Sequence, residues 1–231
     1  MSAGALVVFE GAEGVGKSTQ VDLLLRRLQD AGIAAVSFRE PGGTAVGDRI
    51  REILLRPGNV ISPATEALLF MASRAELCER EIAPAVAAGK IVVLDRFFLS
   101  TYAYQIAGRG LPEEDVRGAN KLATGGLVPD LTVILDYPVR SGLERASGRG
   151  SSDRMEQLDA EFHERIGRAF ATFATDEWSA EHPECGRIVS VDARGSAEEV
   201  AARVADALAD NLPDRFWMLR QPEHSGLSQA P

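Results

Sequence analysis

Five short apolar runs punctuate the chain, over residues 5–9, 34–38, 91–94, 131–135 and 188–191. None alternates strictly between apolar and polar positions, so each predicts a strand buried on both faces. Between them the apolar residues recur at helical spacing. Residues 17–30 place Val21, Leu24, Leu25 and Leu28 on one face, and Gly32 ends that helix. Further helices are predicted over 45–55, 63–88 with a kink at Pro84, 100–107, 112–123, 139–146 and 160–178. Ser196 and Glu199 form a capping box that opens a last helix ending near Leu212. Strands and helices alternate throughout, with neither an internal repeat nor an inter-domain linker. The pattern predicts one α/β domain over 1–212, a five-stranded parallel sheet covered by helices on both faces. The polar tail 213–231 is expected to fray.

In such a sheet ligands bind beyond the carboxyl ends of the strands. Glu10, Arg39, Asp95 and Asp136 fall at those ends. The first of them leads into Gly11-Ala12-Glu13-Gly14-Val15-Gly16-Lys17-Ser18-Thr19, which contains G-x-x-x-x-G-K-S between a strand and a helix start. That context makes it a phosphate-binding P-loop rather than an incidental glycine turn. Gly11, Gly14 and Gly16 let the backbone curl with its N–H groups inward, and the helix N-terminus adds partial positive charge at the same point. Lys17 then reaches the outer phosphates and Ser18 can ligate Mg²⁺. Asp95, ending the third strand, is placed as the carboxylate on the Mg²⁺ side.

Composition narrows the partners. The chain has 231 residues, is 45% hydrophobic and carries a formal charge of −9. That suffices for a substantial core and argues against a general nucleic-acid binder. Phosphate ligands need only local arginines, and Arg39, Arg51, Arg74, Arg96, Arg149 and Arg154 stand at predicted element ends. Several guanidinium groups around one P-loop suggest a second phosphorylated substrate beside ATP. Arg149 and Arg154 lie in a glycine-serine stretch, about 146–156, that reads as a short lid. Cys78 and Cys185 are too few for a disulfide framework or zinc site. His163, His182 and His224 are read as ordinary polar residues. No apolar run can span a membrane, and no signal core precedes the first strand, so a cytoplasmic protein is expected.

The ordered motifs resemble those of the thymidylate kinase family from about Leu6 to Leu212. They are the P-loop with its acidic Glu13, Arg39-Glu40-Pro41-Gly42-Gly43-Thr44, and Asp95-Arg96-Phe97 followed by Ser100-Thr101 and Ala103-Tyr104-Gln105. Pro129-Asp130-Leu131-Thr132 and Asp153-Arg154-Met155-Glu156 complete the set. The resemblance implies a three-layer P-loop kinase that transfers the γ-phosphoryl group of ATP to dTMP with Mg²⁺, as a homodimer. Residues 11–19 would hold ATP, and Glu13 would approach the deoxyribose 3′-hydroxyl. Arg51 and Arg96 would clamp the dTMP phosphate, with Arg39 and Pro41 nearby. Phe70 would stack on thymine, Arg74 would bond its exocyclic oxygen, and Thr101, Tyr104 and Gln105 would complete the base and sugar contacts. Glycine at position 14, with basic residues in the lid, follows the bacterial-type pattern. Arg149 would be the catalytic lid arginine beside Lys17 and Arg96. Ser147 stands where some members carry another lid arginine, so the shares of Arg145 and Arg154 stay open.

Two other classes fit less well. A GTP-dependent switch shares the P-loop but needs Asn-Lys-x-Asp. Here Asn120-Lys121-Leu122-Ala123 lacks the aspartate and lies in a helix. A silent nucleotide-binding module does not explain Lys17, Ser18, Asp95 and Arg149 together. Because a phosphate monoester is already largely a dianion at neutral pH, the transfer needs no general base. An arginine-rich site without a dedicated histidine suits that chemistry.

Overall fold

In the computed structural model, which describes residues 4–148 and 153–219, the five strands are β1 Ala5–Glu10, β2 Ala35–Arg39, β3 Ile91–Asp95, β4 Leu131–Asp136 and β5 Ile188–Asp192. Each runs one residue further at its carboxyl end than its hydrophobicity marks, and that last residue is charged. Hydrophobicity reports burial, whereas ladder bonds belong to the backbone and are indifferent to the side chain. Pairing therefore continues into the charged rim, with Asp95 beside both Phe9 and Arg39 and Asp136 beside Asp192. All pairs are parallel, in the order β2-β3-β1-β4-β5.

The helices are α1 Lys17–Asp30, α2 Ala45–Leu55, α3 Pro63–Leu77, α4 Ala83–Ala87, α5 Phe98–Thr101, α6 Glu113–Thr124, α7 Val139–Ser147, α8 Ala160–Phe173, α9 Asp176–Glu181, α10 Ala197–Asn211 and α11 Pro213–Phe216. The crossover from β1 to β2 and that from β3 to β4 run in opposite directions across the sheet. Right-handed crossovers then put α1 on one face and α5–α6 on the other. The central strand β1 is wholly buried, and its apolar side chains join Leu24 and Leu28 of α1, Leu77 and Ile82 in one core.

Three expected elements differ in detail. The rod over 63–88 is interrupted by a π-helical turn, Cys78–Ile82, just ahead of Pro84. Pro84 has no N–H and its ring crowds the carbonyl one turn back, so a widened turn accommodates it. The helix expected over 100–107 begins at Phe98 and becomes π-helical over Tyr102–Gly108. The helix expected over 160–178 is two, because Thr175 accepts a hydrogen bond from the Trp178 amide and caps a new start. The capping box at Ser196 forms with both its bonds, at 2.8 and 3.2 Å.

The chain does not fray at Pro213. Helix α11 and a 3₁₀ turn over Trp217–Leu219 pack on α10, with Phe216 and Leu219 buried. Two apolar anchors hold a segment whose polar neighbours suggested a tail. Arg149, His224 and residues 220–231 lie outside the described residues.

Candidate active site

The P-loop closes around its own lysine. Gly11, Gly14 and Gly16 have φ of 136°, 69° and 98°, and Gly16 is the left-handed residue from which α1 starts. Lys17 Nζ folds back to donate to the carbonyl oxygens of Gly11 at 3.0 Å and Ala12 at 2.7 Å. Burial pulls the ammonium pKa down to about 8 and the charge of Arg96 adds to that, while Glu13 opposes it. Gly14 packs against α7: a Cβ there would lie 1.8 Å from the Gly142 carbonyl oxygen.

The turn after β3 is fixed by a carboxylate the sequence marked only as a strand end. Glu10, fully buried, accepts from the amides of Phe97 at 2.7 Å and Ser100 at 3.0 Å and from the Ser100 hydroxyl at 2.6 Å. Arg96, with φ of 76°, is the one non-glycine residue with positive φ among the described residues. Its amide donates to the Phe9 carbonyl at 2.9 Å, which leaves the side chain to cross toward the P-loop. There its guanidinium donates to Glu13 Oε1 at 2.7 Å and to Ser100 Oγ at 3.0 Å. The Tyr104 hydroxyl donates to the same Glu13 oxygen at 2.7 Å. Burial resists the charge on Glu13, but Arg96, Lys17 and Tyr104 outweigh it and hold the pKa at about 2. Ser18 Oγ donates to Asp95 Oδ2 at 2.6 Å, so the two expected metal ligands meet.

A cavity of about 250 Å³ opens between these groups and β2, α2 and α3. Of the expected ATP loop, Glu13, Gly14, Gly16, Lys17, Ser18 and Thr19 line it, whereas Gly11, Ala12 and Val15 are buried behind it. Every expected dTMP residue lines it: Glu13, Arg39, Pro41, Arg51, Phe70, Arg74, Arg96, Thr101, Tyr104 and Gln105. Arg51 donates to the Pro41 carbonyl at 2.8 Å. Burial lowers its pKa, and the positive charges of Arg39 and Arg96 lower it further. Guanidinium groups that repel one another across a cavity make a site for an anion.

Comparison with known proteins agrees with this geometry. A family model described as thymidylate kinase matches residues 9–204. The chain is similar to a thymidylate kinase of Synechococcus sp., 50% identical over 207 residues, covering 90% of this chain and 95% of that protein. It is also similar to a thymidylate kinase of Deinococcus radiodurans, 42% identical over 210 residues, covering 91% and 98% of the two chains. The chain belongs to the thymidylate kinase family.

Two arginines are engaged differently from what a thymidylate kinase motif alone suggests. Arg74 is 2% exposed, and all five of its N–H groups already have acceptors. Nε and Nη2 pair with the Glu40 carboxylate, and Nη2 also reaches the Phe97 carbonyl at 2.8 Å. Nη1 donates to Thr101 Oγ1 at 2.9 Å and to Asn120 Oδ1. A base oxygen at Arg74 must therefore share or replace one of these acceptors.

Arg154 is not directed at the phosphate end of the cavity. Its Nη2 donates to Glu66 at 2.6 Å and its Nε to the Leu54 carbonyl at 2.6 Å, while its amide meets the Leu55 carbonyl at 3.0 Å. It ties the C-terminal part of the expected lid to the end of α2 and to α3. Arg145 is stacked on the Tyr137 ring, 4.0 Å from its centroid. Glu66, Glu40 and Asn120 were missed as parts of this network. The legible signal was a carboxylate inside the apolar run of α3, since buried carboxylates require partners. His163 and His182 are also buried. His182 stacks on Trp178 and faces Glu113 at 2.9 Å.

Proposed function

We propose that this protein transfers the γ-phosphoryl group of ATP to dTMP, giving dTDP and ADP, a step in the supply of dTTP. The observation that carries the reading is one cavity lined by the P-loop lysine, by Arg96 beside it, and by Arg39 and Arg51. That convergence of cations on one cavity suits two nucleotides whose phosphates meet there. Lys17, the loop amides and Arg96 neutralise charge as the phosphoryl group passes, and Arg149 adds to this from the lid. Arg51 and Arg96 hold the acceptor phosphate. Glu13 is kept ionised to accept the sugar hydroxyl, Phe70 stacks on the base, and Tyr104 closes the sugar side. The pair Ser18 and Asp95 offers hard oxygen donors that fit Mg²⁺, which would neutralise phosphate charge when bound.

Two further assignments belong to this reading. No helix among the described residues is long and apolar enough to cross a membrane, which supports a cytoplasmic enzyme. Val46 and Ile53 on α2, Leu68 on α3 and Leu122 on α6 are exposed on helices where α3 packs with both α2 and α6, which supports a homodimer through that face. A coupled ADP-release assay across dTMP, dUMP, dCMP and dGMP tests the central proposal. Turnover should be fastest with dTMP. No turnover of dTMP with ATP and magnesium would refute the activity, and equal rates with every base would refute the pocket assignment.

A further inference from the structure

Asn120 sits on α6 and is 1% exposed. Its Oδ1 accepts from Arg74 Nη1, whereas its Nδ2 has no hydrogen-bond partner among the described residues. A buried amide with an orphaned donor is a poor choice for stability alone, since an apolar side chain would leave nothing unpaired. Its one bond instead bears on Arg74, which lines the cavity. That guanidinium is held at two corners. Glu40, just after β2, grips Nε and Nη2. Asn120 and Thr101 share Nη1. Of this last pair Thr101 lines the cavity and Asn120 does not, so Asn120 holds Nη1 from behind.

The consequence for base choice comes from donor and acceptor chemistry. It rests on the reading that this cavity takes a pyrimidine nucleotide. Guanidinium can only donate. Thymine offers a carbonyl oxygen at C4, where cytosine offers an amino group. A thymine oxygen can take the Nη1 proton now given to Thr101, whose hydroxyl is free to turn to another partner. A cytosine amino group meets a donor that already has its acceptors and is itself left unpaired in a buried site, which is an effective basis for rejection. The rejection fails if Arg74 can swing aside, because Glu40 also lines the cavity and its carboxylate, released from Arg74, would accept the amino group. We propose that Asn120 is a specificity-determining positioning residue, which fixes Arg74 so that it keeps the Glu40 carboxylate engaged and presents a donor to the base.

Steady-state kinetics with dTMP and dCMP test this in wild type, Asn120→Ala and Asn120→Asp, with thermal unfolding of each protein as control. Loss of a hydrogen bond to a charged group corresponds to about tenfold in affinity. Asn120→Ala should raise the KM for dTMP about tenfold, change kcat by less than about twofold, and reduce the preference for dTMP over dCMP about tenfold. Asn120→Asp keeps the acceptor oxygen and removes the orphaned donor, so it should restore KM and preference. Unchanged KM and preference in Asn120→Ala would overturn the proposal. So would a fall in kcat and melting temperature at unchanged preference, or failure of the aspartate to rescue. Absence of dTMP turnover in wild type would instead refute the activity itself and is read separately.

Discussion

Arg96 and Glu13, 83 positions apart in the chain, are joined at 2.7 Å across the mouth of the P-loop. The contact requires Arg96 to stand in a left-handed backbone conformation that arginine rarely adopts, which the Glu10 carboxylate supports by pinning the following turn. One planar group thus reaches Glu13, Ser100 and the Gly11 carbonyl together. A lysine ammonium cannot span that fork. Arg96→Lys should therefore lose about 2 kcal/mol of transition-state stabilisation, or about thirtyfold in kcat/KM, with the charge unchanged. Wild-type kcat/KM in that variant would show that the site needs only a positive charge there.

Glu13 also makes the fold sensitive to acid. Its pKa is about 2 in the folded chain against an ordinary 4.5. The folded state therefore holds the proton more weakly, and the stabilisation is complete above about pH 4.5. It is lost as pH falls through the window down to about 2. The drop from 4.5 to about 2 corresponds to on the order of 3 kcal/mol. Denaturant unfolding between pH 5 and pH 2.5 should show a shallower decline for Glu13→Gln than for wild type. Parallel curves would mean that the Arg96 and Lys17 contacts contribute nothing to this dependence.

Lys17 gives a different signature, read through ATP. Its pKa of about 8 in the folded chain lies below the ordinary 10.5, so between those values the folded enzyme holds fewer protons than an unfolded one. Burial and Arg96 penalise its charge below about pH 8, and that penalty fades as pH rises through the window. A triphosphate beside the ammonium reverses the balance and raises the pKa. ATP binding at pH 8.5 should then take up most of a proton, seen as a dependence of calorimetric heat on buffer ionisation enthalpy. Lys17→Ala should abolish both the uptake and turnover while circular dichroism reports an intact fold. Buffer-independent heats in wild type would exclude this account.

How much of the fold and site is legible in the sequence depends on the range of each interaction. The P-loop, α1 and α2 are local: glycine punctuation and helical spacing mark both helices at their observed bounds, Lys17–Asp30 and Ala45–Leu55. The sheet is marked by apolar runs, but its charged last residues, Glu10 to Asp192, fall outside them because they pair through backbone alone. The π-helical turn over Tyr102–Gly108 is invisible, since nothing in its sequence distinguishes it from an α-helix, whereas Pro84 marks a kink where the other, Cys78–Ile82, forms. Arg74 and Arg154 are visible as candidates but their contacts are not. Their acceptors, Glu40, Asn120 and Glu66, lie 34, 46 and 88 positions away, and no spacing rule reaches that far.

Glu66 is the buried charge that Arg154 serves. The carboxylate is fully buried and accepts from Gln105 at 3.1 Å, from Arg109 at 3.1 and 3.0 Å and from Arg154 at 2.6 Å. Burial opposes its charge, and the bonds from Arg109 and Arg154 outweigh it, leaving the pKa below the ordinary carboxylate value. Removing one guanidinium leaves a buried charge incompletely paired, which costs about 3 kcal/mol. Arg154→Met should therefore lower the melting temperature by about 10 °C. The double variant with Glu66→Gln should recover part of that loss, because the uncompensated charge is gone. Below its transition Arg154→Met should keep kcat within about threefold of wild type, as expected of an anchor rather than a transfer arginine. An unchanged melting temperature with a collapsed kcat would reverse the assignment and put Arg154 beside the phosphates.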